Sequence, residues 1–342
     1  MLTRTFVTTS LRSLILTLTV LCGLSASLYA APKTGFTSFT VGNPADAQQS
    51  STLTPGLVLM GGGTDVDAAF QWMCQRAGGG DFVVIRTTGT DAYNPYIQQL
   101  CPQMDSVETI IITSVTGANS AYVSSQIQNA EALWIAGGDQ STYVNLWRGT
   151  AVQTGVNFLL NSKLAPVGGT SAGLAVLSQF IYTGALGSVT SSQALANPFH
   201  RYVTLDRDLF QSSLGVSKLY DSHFVTRDRM GRSLTFLARI VNNGWAAQPR
   251  GIGIDEQTAL LVMPGGAATM VGTGAAYFLQ APGPAQVLAE KTPLTYLNIG
   301  VYKVPQGATF NLSTWTGTGG VAYTLNVNNG SLTSTQAGGN IY

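Results

Sequence analysis

The sequence predicts an α/β fold: a mostly parallel sheet with helices on both faces and a nucleophile elbow, plus a β-rich C-terminal part. Three observations predict it. Short apolar runs alternate with helix-like stretches between residues 56 and 177, the pattern of βαβ units with buried strands. Glycine-rich turns close several of those runs, at Gly61-Gly62-Gly63, Gly137-Gly138 and Gly169-Thr170-Ser171-Ala172-Gly173. Beyond Thr258 the helical stretches stop and apolar runs are separated only by Gly and Pro turns.

Residues 31–54 form a polar lead. Residues 56–60 are a first strand, and Asp65 is placed to cap a helix over 66–76. Residues 81–86 are a second strand, followed by a helix near 96–103. A third strand at 108–113 precedes a helix near 121–130, and a fourth at 132–136 ends at Gly137-Gly138-Asp139-Gln140. Helices over 141–148 and 151–161 lead to an apolar run at 164–167, the serine turn, and a helical run from Leu174. Residues 251–254 read as a buried strand ending at Asp255-Glu256. Later strands are expected at 259–263, 269–273, 276–279 and 296–304, with late strands or a loose tail over 308–342. The organisation is thus a signal segment over 1–30, an α/β domain over 31–310 and C-terminal strands or tail over 311–342.

The N-terminus reads as a secretory signal, with Arg4 and Arg12 as positive flank, an apolar core over 14–24 and a small-residue exit ending at Ala30. Leu21-Cys22-Gly23 leaves a lipoprotein reading open. Removing residues 1–30 from 342 leaves 312, enough for one large domain. The 17 basic residues then fall to 15 against 16 acidic ones. That balance implies no nucleic-acid or membrane-surface partner. Cys74 and Cys101 remain after the signal leaves. In an exported chain the pair permits one disulfide, and two buried thiols are the alternative. No His/Cys spacing suits a metal, and no cofactor is expected.

G-x-S-x-G between a strand and a helix suits a tight turn that lifts the serine hydroxyl out of the fold. The Ala172 N–H then faces the same space as Ser171, and can hold an oxyanion. In a chain with 39 Gly the motif also arises as a plain loop. A serine nucleophile needs a base, and the chain has only two histidines, His200 and His223. Asn197-Pro198 places His200 in a turn. His223 opens the charged run His223-Phe224-Val225-Thr226-Arg227-Asp228-Arg229-Met230-Gly231-Arg232. Glu256 is the candidate for orienting the imidazole, with Asp255, Asp221 and Asp206 as rivals. Gly61-Gly62-Gly63 reads as a tight turn, a phosphate cradle without the full G-x-G-x-x-G pattern, or a source of N–H donors for a substrate oxygen.

The order Ser…His…Glu differs from that of the α/β-hydrolases. It resembles the cyanophycinase and dipeptidase E-like serine peptidases. The pieces that carry the resemblance are Gly137-Gly138-Asp139-Gln140, Gly168 to Gly173, the run from Asp221 to Arg232, and Gly251 to Glu256. The resemblance extends over about residues 56–310 and is nearer to the cyanophycinases. It implies Ser171 as nucleophile, His223 as base and Glu256 as orienting acid. It also implies Gly62 and Ala172 as oxyanion donors, and Gln140, Asp221, Arg227, Arg229 and Arg232 as substrate contacts. The implied activity is secreted or periplasmic hydrolysis of cyanophycin, an arginine-bearing poly-aspartate, to β-aspartyl-arginine. The implied partner is a peptide polymer, with no nucleic acid, no membrane after signal cleavage, and a homodimer left open. Three departures bear on specificity: Ser222 where a Gln is expected, Arg86-Thr87-Thr88 where a Pro-Thr-Ala type is expected, and the long segment over 183–218. They leave open an aspartyl or isoaspartyl peptidase of another specificity. A non-catalytic binding protein on the same scaffold is the alternative outside enzymes.

Overall fold

Along the strand Gly56–Met60, Leu57 and Leu59 pack into one apolar cluster, while Val58 and Met60 pack into another. A period of two sends neighbours to opposite faces, so a strand covered on both sides reads as one apolar run. Asp81–Arg86 repeats the pattern, with Val83 and Ile85 in the first cluster and Phe82 and Val84 in the second. The computed structural model describes residues 1–3, 34–47 and 53–342. The signal segment predicted over 1–30 lies outside them apart from residues 1–3. The chain divides into two compact units, Met1–Pro32 and Lys33–Tyr342, and the second contains both sheets.

In chain order the first elements are β1 (Phe36–Gly42), β2 (Gly56–Met60), α1 (Asp67–Ala77), β3 (Asp81–Arg86), α2 (Tyr93–Leu100) and β4 (Ser106–Ile112). Next come α3 (Val115–Ala118), α4 (Ala121–Asn129), β5 (Ala132–Ile135), α5 (Gln140–Trp147), α6 (Ala151–Phe158), β6 (Pro166–Thr170) and α7 (Ala172–Val176). Then follow β7 (Phe180–Tyr182), α8 (Ser191–Ala196), β8 (Leu205–Arg207), β9 (Lys218–Asp221), α9 (Met230–Asn242) and β10 (Arg250–Ile254). The last stretch holds β11 (Thr258–Val262), β12 (Ala267–Gly272), β13 (Ala276–Gln280) and β14 (Tyr296–Val304). It closes with β15 (Thr309–Asn311), β16 (Thr316–Thr318), β17 (Val321–Asn328) and β18 (Ser331–Ser334).

Ten strands form one sheet in the order β1-β4-β3-β5-β6-β2-β11-β12-β15-β16. Its middle, from β4 to β2, is parallel. Its flanks are antiparallel. The second sheet, β18-β17-β14-β13-β10-β9-β7-β8, is parallel only where β9 meets β10 and β7. The expectation of a mostly parallel sheet is therefore corrected: both sheets are mixed. Only residues 263–266 separate β11 from β12, too few for the crossover that parallel neighbours need. Residues 321–334 supply β17 and β18, one edge of the second sheet.

Three apolar layers result. α1 and α2 cover one face of the first sheet through Phe70, Met73 and Ile97. α4, α5 and α6 cover its other face through Ile127, Trp147 and Val156, in the same cluster as Tyr220, Ile252 and Phe278 of the second sheet. α9 covers the far side of the second sheet with Leu234, Leu237 and Ile240. Among the described residues no helix is long and apolar enough to cross a membrane.

Two local expectations change. Asp65 does not cap α1; Val66 takes that position without a side-chain bond, and Asp65 instead meets the Tyr93 hydroxyl. Helix α2 starts at Tyr93 rather than near residue 96, because Pro95 is tolerated in a first turn, where its missing N–H costs nothing. Cys74 of α1 and Cys101, just after α2, are joined in a disulfide.

Candidate active site

Ser171 stands between β6 and α7 with φ 54° and ψ −114°, a backbone state that a residue with a side chain seldom adopts. Its N–H donates to the Met60 carbonyl at 3.1 Å, which ties the turn to the end of β2. Gly173 makes the turn possible: a Cβ there would collide with the Ile135 carbonyl oxygen of β5. The strand also runs longer than the apolar run at 164–167, since Gly168, Gly169 and Thr170 stay in the ladder with β2.

His223 follows β9, also at positive φ (47°). Its N–H donates to the Gly61 carbonyl at 2.7 Å, and the next N–H, of Phe224, donates to Ile254 at 3.2 Å. Its Nε2 lies 2.8 Å from Ser171 Oγ, and its Nδ1 lies 2.5 Å from Glu256 Oε1. With Nδ1–H donated to the carboxylate, Nε2 is left to accept the serine proton. Gly62 fits under the ring at φ 98°, where a Cβ would come within 2.5 Å of Nε2. The Gly62 carbonyl accepts from Gln257 N at 2.8 Å, so the glycine turn sits between the histidine and the acid.

The rivals do other work. Asp255 Oδ1 accepts from Val225 N (3.3 Å), Thr226 N (3.4 Å), Thr226 Oγ1 (3.3 Å) and Glu256 N (2.9 Å), and so fastens the histidine loop to the acid's turn. Asp206 pairs with Arg148 at 3.0 Å, with both side chains over a third exposed. His200 accepts from Tyr202 N at 3.3 Å and packs edge-on to its ring.

Asp221, at the end of β9, is buried with both oxygens engaged. Arg232 Nη2 donates to Oδ1 at 2.5 Å and Nε to Oδ2 at 2.9 Å. Ser233 Oγ donates to Oδ2 at 2.9 Å, and Arg229 Nη1 lies 3.4 Å from Oδ1. Burial alone would raise the Asp221 carboxyl, but Arg232 and Arg229 hold it below the usual carboxylate range. Burial pushes Arg229 down to about 10. Burial likewise lowers the His223 pKa, followed in size by the opposing bond from Glu256 and by repulsion from Arg227 and Arg229. The neutral imidazole therefore persists to lower pH than in a free histidine.

These groups open onto a cleft of about 280 Å³ lined by Ser171, Ala172, Gln140, Asp221, Arg227, Arg229 and Arg232. Gln140 Nε2 donates to the Tyr182 carbonyl at 3.1 Å. Arg227 is half exposed, 3.9 Å from Glu256 Oε1. The segment over 183–218 contributes Thr183, Gly184 and Ser188 to the wall. Among the described residues no group of three or more His, Cys, Asp or Glu is placed to hold a metal ion.

Tyr342 is a site neighbour that no sequence pattern announced. Its hydroxyl donates to Asp228 Oδ1 at 2.8 Å and accepts from Met230 N at 2.9 Å. Its ring stands edge-on to Phe224 and Tyr277, bracing the loop between His223 and α9.

No family model matches the chain. A cyanophycinase from Nostoc sp. is 24% identical over 219 residues, 61% of this chain and 66% of that protein. A cyanophycinase from Synechococcus elongatus is 22% identical over 277 residues, 76% of this chain and 80% of that protein. Both bear the name of the family that the four motifs resemble. The chain thus spans just under two thirds of the length of the first relative, at 66%. Among solved structures, a peptidase from an acI-B1 Actinobacterium superposes with a TM-score of 0.50 at 15% identity, over 76% of this chain and 98% of that one. That likeness is one of fold.

Proposed function

We propose that this chain, similar over most of its length to cyanophycinases, is an exported serine exopeptidase that hydrolyses cyanophycin to β-aspartyl-arginine. The observation that carries the reading is the continuous relay Ser171–His223–Glu256, 2.8 Å and 2.5 Å long at its two links, opening onto an arginine-lined cleft. The strand–Ser171–helix turn acts as a nucleophile elbow. Ser171 Oγ attacks the scissile carbonyl while His223 Nε2 takes its proton, and Glu256 stabilises the imidazolium. The N–H groups of Gly62 and Ala172 receive the oxyanion. His223 then returns the proton to the leaving amine, and water, activated by the same nitrogen, releases the acyl group from Ser171.

Substrate recognition follows from charge. Arg227 and Arg229 offer guanidinium donors to carboxylates, with Gln140 as a neutral partner in the same cleft, while Arg232 gives Nε and Nη2 to Asp221 and turns only Nη1 toward the wall at Ser188. Asp221 acts through Arg229 and Arg232, since its own oxygens are already taken. The disulfide between α1 and α2 fits export to an oxidising compartment.

A second reading keeps the relay and changes the substrate to another aspartyl or isoaspartyl peptide. Ser222 and the wall formed by Thr183, Gly184 and Ser188 favour it, because they shape the cleft where the chain departs from the family pattern. A binding protein without catalysis gains no support from a serine hydroxyl within hydrogen-bond reach of its base.

The deciding experiment incubates purified residues 31–342 with cyanophycin, with β-aspartyl peptides in parallel, and identifies the products by mass spectrometry. Release of β-aspartyl-arginine, absent from the Ser171→Ala protein, is expected. Cleavage of the β-aspartyl peptides alone would shift the assignment to the second reading, and no hydrolysis of either would sink both.

A further inference from the structure

At the end of β9 opposite Asp221, two cations stand side by side with no carboxylate of the described residues paired to either. The register pairs Lys218 of β9 with Arg250 of β10, and the strands are parallel, so both side chains leave the same face. Neighbouring strands lie about 4.8 Å apart, and like charges directly opposed across strands are destabilising. Lys218 is only 5% exposed. Its ammonium has one protein acceptor among the described residues, the Val216 carbonyl at 3.1 Å. Arg250 Nε donates to the neutral Gln280 side chain at 3.1 Å. Among the described residues neither cation has a carboxylate within ion-pair distance. Both lie near the Trp315 ring, at 6.0 Å for Lys218 and 4.6 Å for Arg250, which offers them only a weak counter-pole.

A buried charge is normally paired. Here the two line an open cavity of about 390 Å³ whose other walls carry no charge: Ser217, Ser313 and Gln280 are among the polar ones, and Leu214, Val216 and Leu312 are apolar. No residue lines both this cavity and the catalytic cleft. Burial, with the help of Arg250, pushes Lys218 down to about 8, the response of an ammonium lacking its counter-ion.

We infer that the Lys218–Arg250 cavity is a second ligand site that takes a small oxyanion: a phosphate, a sulfate or a compact carboxylate. The ammonium supplies a point charge and the guanidinium a planar fork, the pairing that oxyanions of this size accept. Serine hydroxyls on the wall complete the donor set.

The test measures melting temperature and binding heat of the folded protein with sodium phosphate, sodium sulfate or sodium succinate, against sodium chloride at matched ionic strength. At least one oxyanion should raise Tm saturably, by roughly 5 °C at about a hundredfold excess over Kd, where chloride does not. The arm that saturates at the lowest concentration identifies the chemistry. Lys218→Met and Arg250→Gln should each abolish the shift, and without added anion each should melt no lower than the parent, because a repulsion has been removed. Arg250→Gln, at the half-buried position, keeps the test decisive if Lys218→Met does not fold. Equal behaviour of all four salts, or an unchanged shift in Arg250→Gln, would overturn the inference.

Discussion

Asp221 and Arg232 form a two-bond pair at the back of the cleft, 2.5 Å from Oδ1 to Nη2 and 2.9 Å from Oδ2 to Nε. Both side chains are almost fully buried. Removing one partner strands the other charge out of water. Asp221→Asn should therefore lower unfolding stability by about 3–5 kcal/mol as well as disturb turnover. Denaturant midpoints of the purified variant check this, and a midpoint unchanged from the parent would show that the pair carries little.

Ser171→Ala should behave differently. Among the described residues the hydroxyl bonds only to the imidazole, and alanine adds no bulk to the turn. The variant is expected to fold with an unchanged midpoint and to lose turnover by roughly 10⁶-fold. Substantial hydrolysis by the folded variant would remove Ser171 from the reaction.

The acid limb of kcat/KM should fall below the ordinary histidine value near ~6.5. Burial disfavours the charged imidazole, so the folded pKa lies under the unfolded one. Neutral His223 is the active form, and activity is kept on the alkaline side and lost as pH falls through the lowered value. The stability linked to this group has the same sign, present above the unfolded pKa and lost on acidification. A kinetic midpoint above 7 would contradict the assignment.

Glu256→Gln and Asp255→Asn should separate turnover from folding. Glu256 touches the imidazole; Asp255 gathers the amides of Val225, Thr226 and Glu256. Glu256→Gln is expected to cut kcat by about 10³–10⁴ with little change in melting, in line with the loss of a triad carboxylate. Asp255→Asn should lower Tm first. The reverse order would reassign the acid by one residue.

Reducing the Cys74–Cys101 bond should destabilise the fold. It closes a loop with a sequence separation of 27, for which the chain-entropy model gives about 3–4 kcal/mol. Melting with and without a thiol reductant, compared with the Cys74→Ala/Cys101→Ala protein, measures it. A reductant effect that persists in the double variant would come from elsewhere.

The parallel heart of the fold was legible because β2, β3 and β5 are buried on both faces, which writes them as apolar runs. Ser171, His223 and Glu256 were legible as candidates that the fold brings together: a serine in a tight turn, two histidines to choose from, and a carboxylate after a strand. Strand direction was not legible beyond Thr258, because an alternating run reads the same in either sense and only the short turn between β11 and β12 decides it. Nor could composition distinguish Asp255 from Glu256 or place Tyr342 beside Asp228; those are long-range packing relations, without local periodicity. The nearness of Lys218 to Arg250 depends on a strand register that no spacing in the chain announces.

Ser171 departs from a strand of the ten-stranded sheet, His223 from a strand of the eight-stranded one, and Glu256 sits on the three-residue link by which the chain passes between them. The Ser171–His223 pair therefore straddles a seam rather than resting on a single platform. Val167, Tyr220, Ile252 and Phe278, buried together between the layers, set the distance between Ser171 and His223. Slippage of the layers by even an ångström would silence the relay while each ladder kept its own hydrogen bonds. On the proposed reading, turnover is an early gauge of how firmly the two halves are seated, and the interior side chains along the seam govern it as closely as those proposed to meet the substrate.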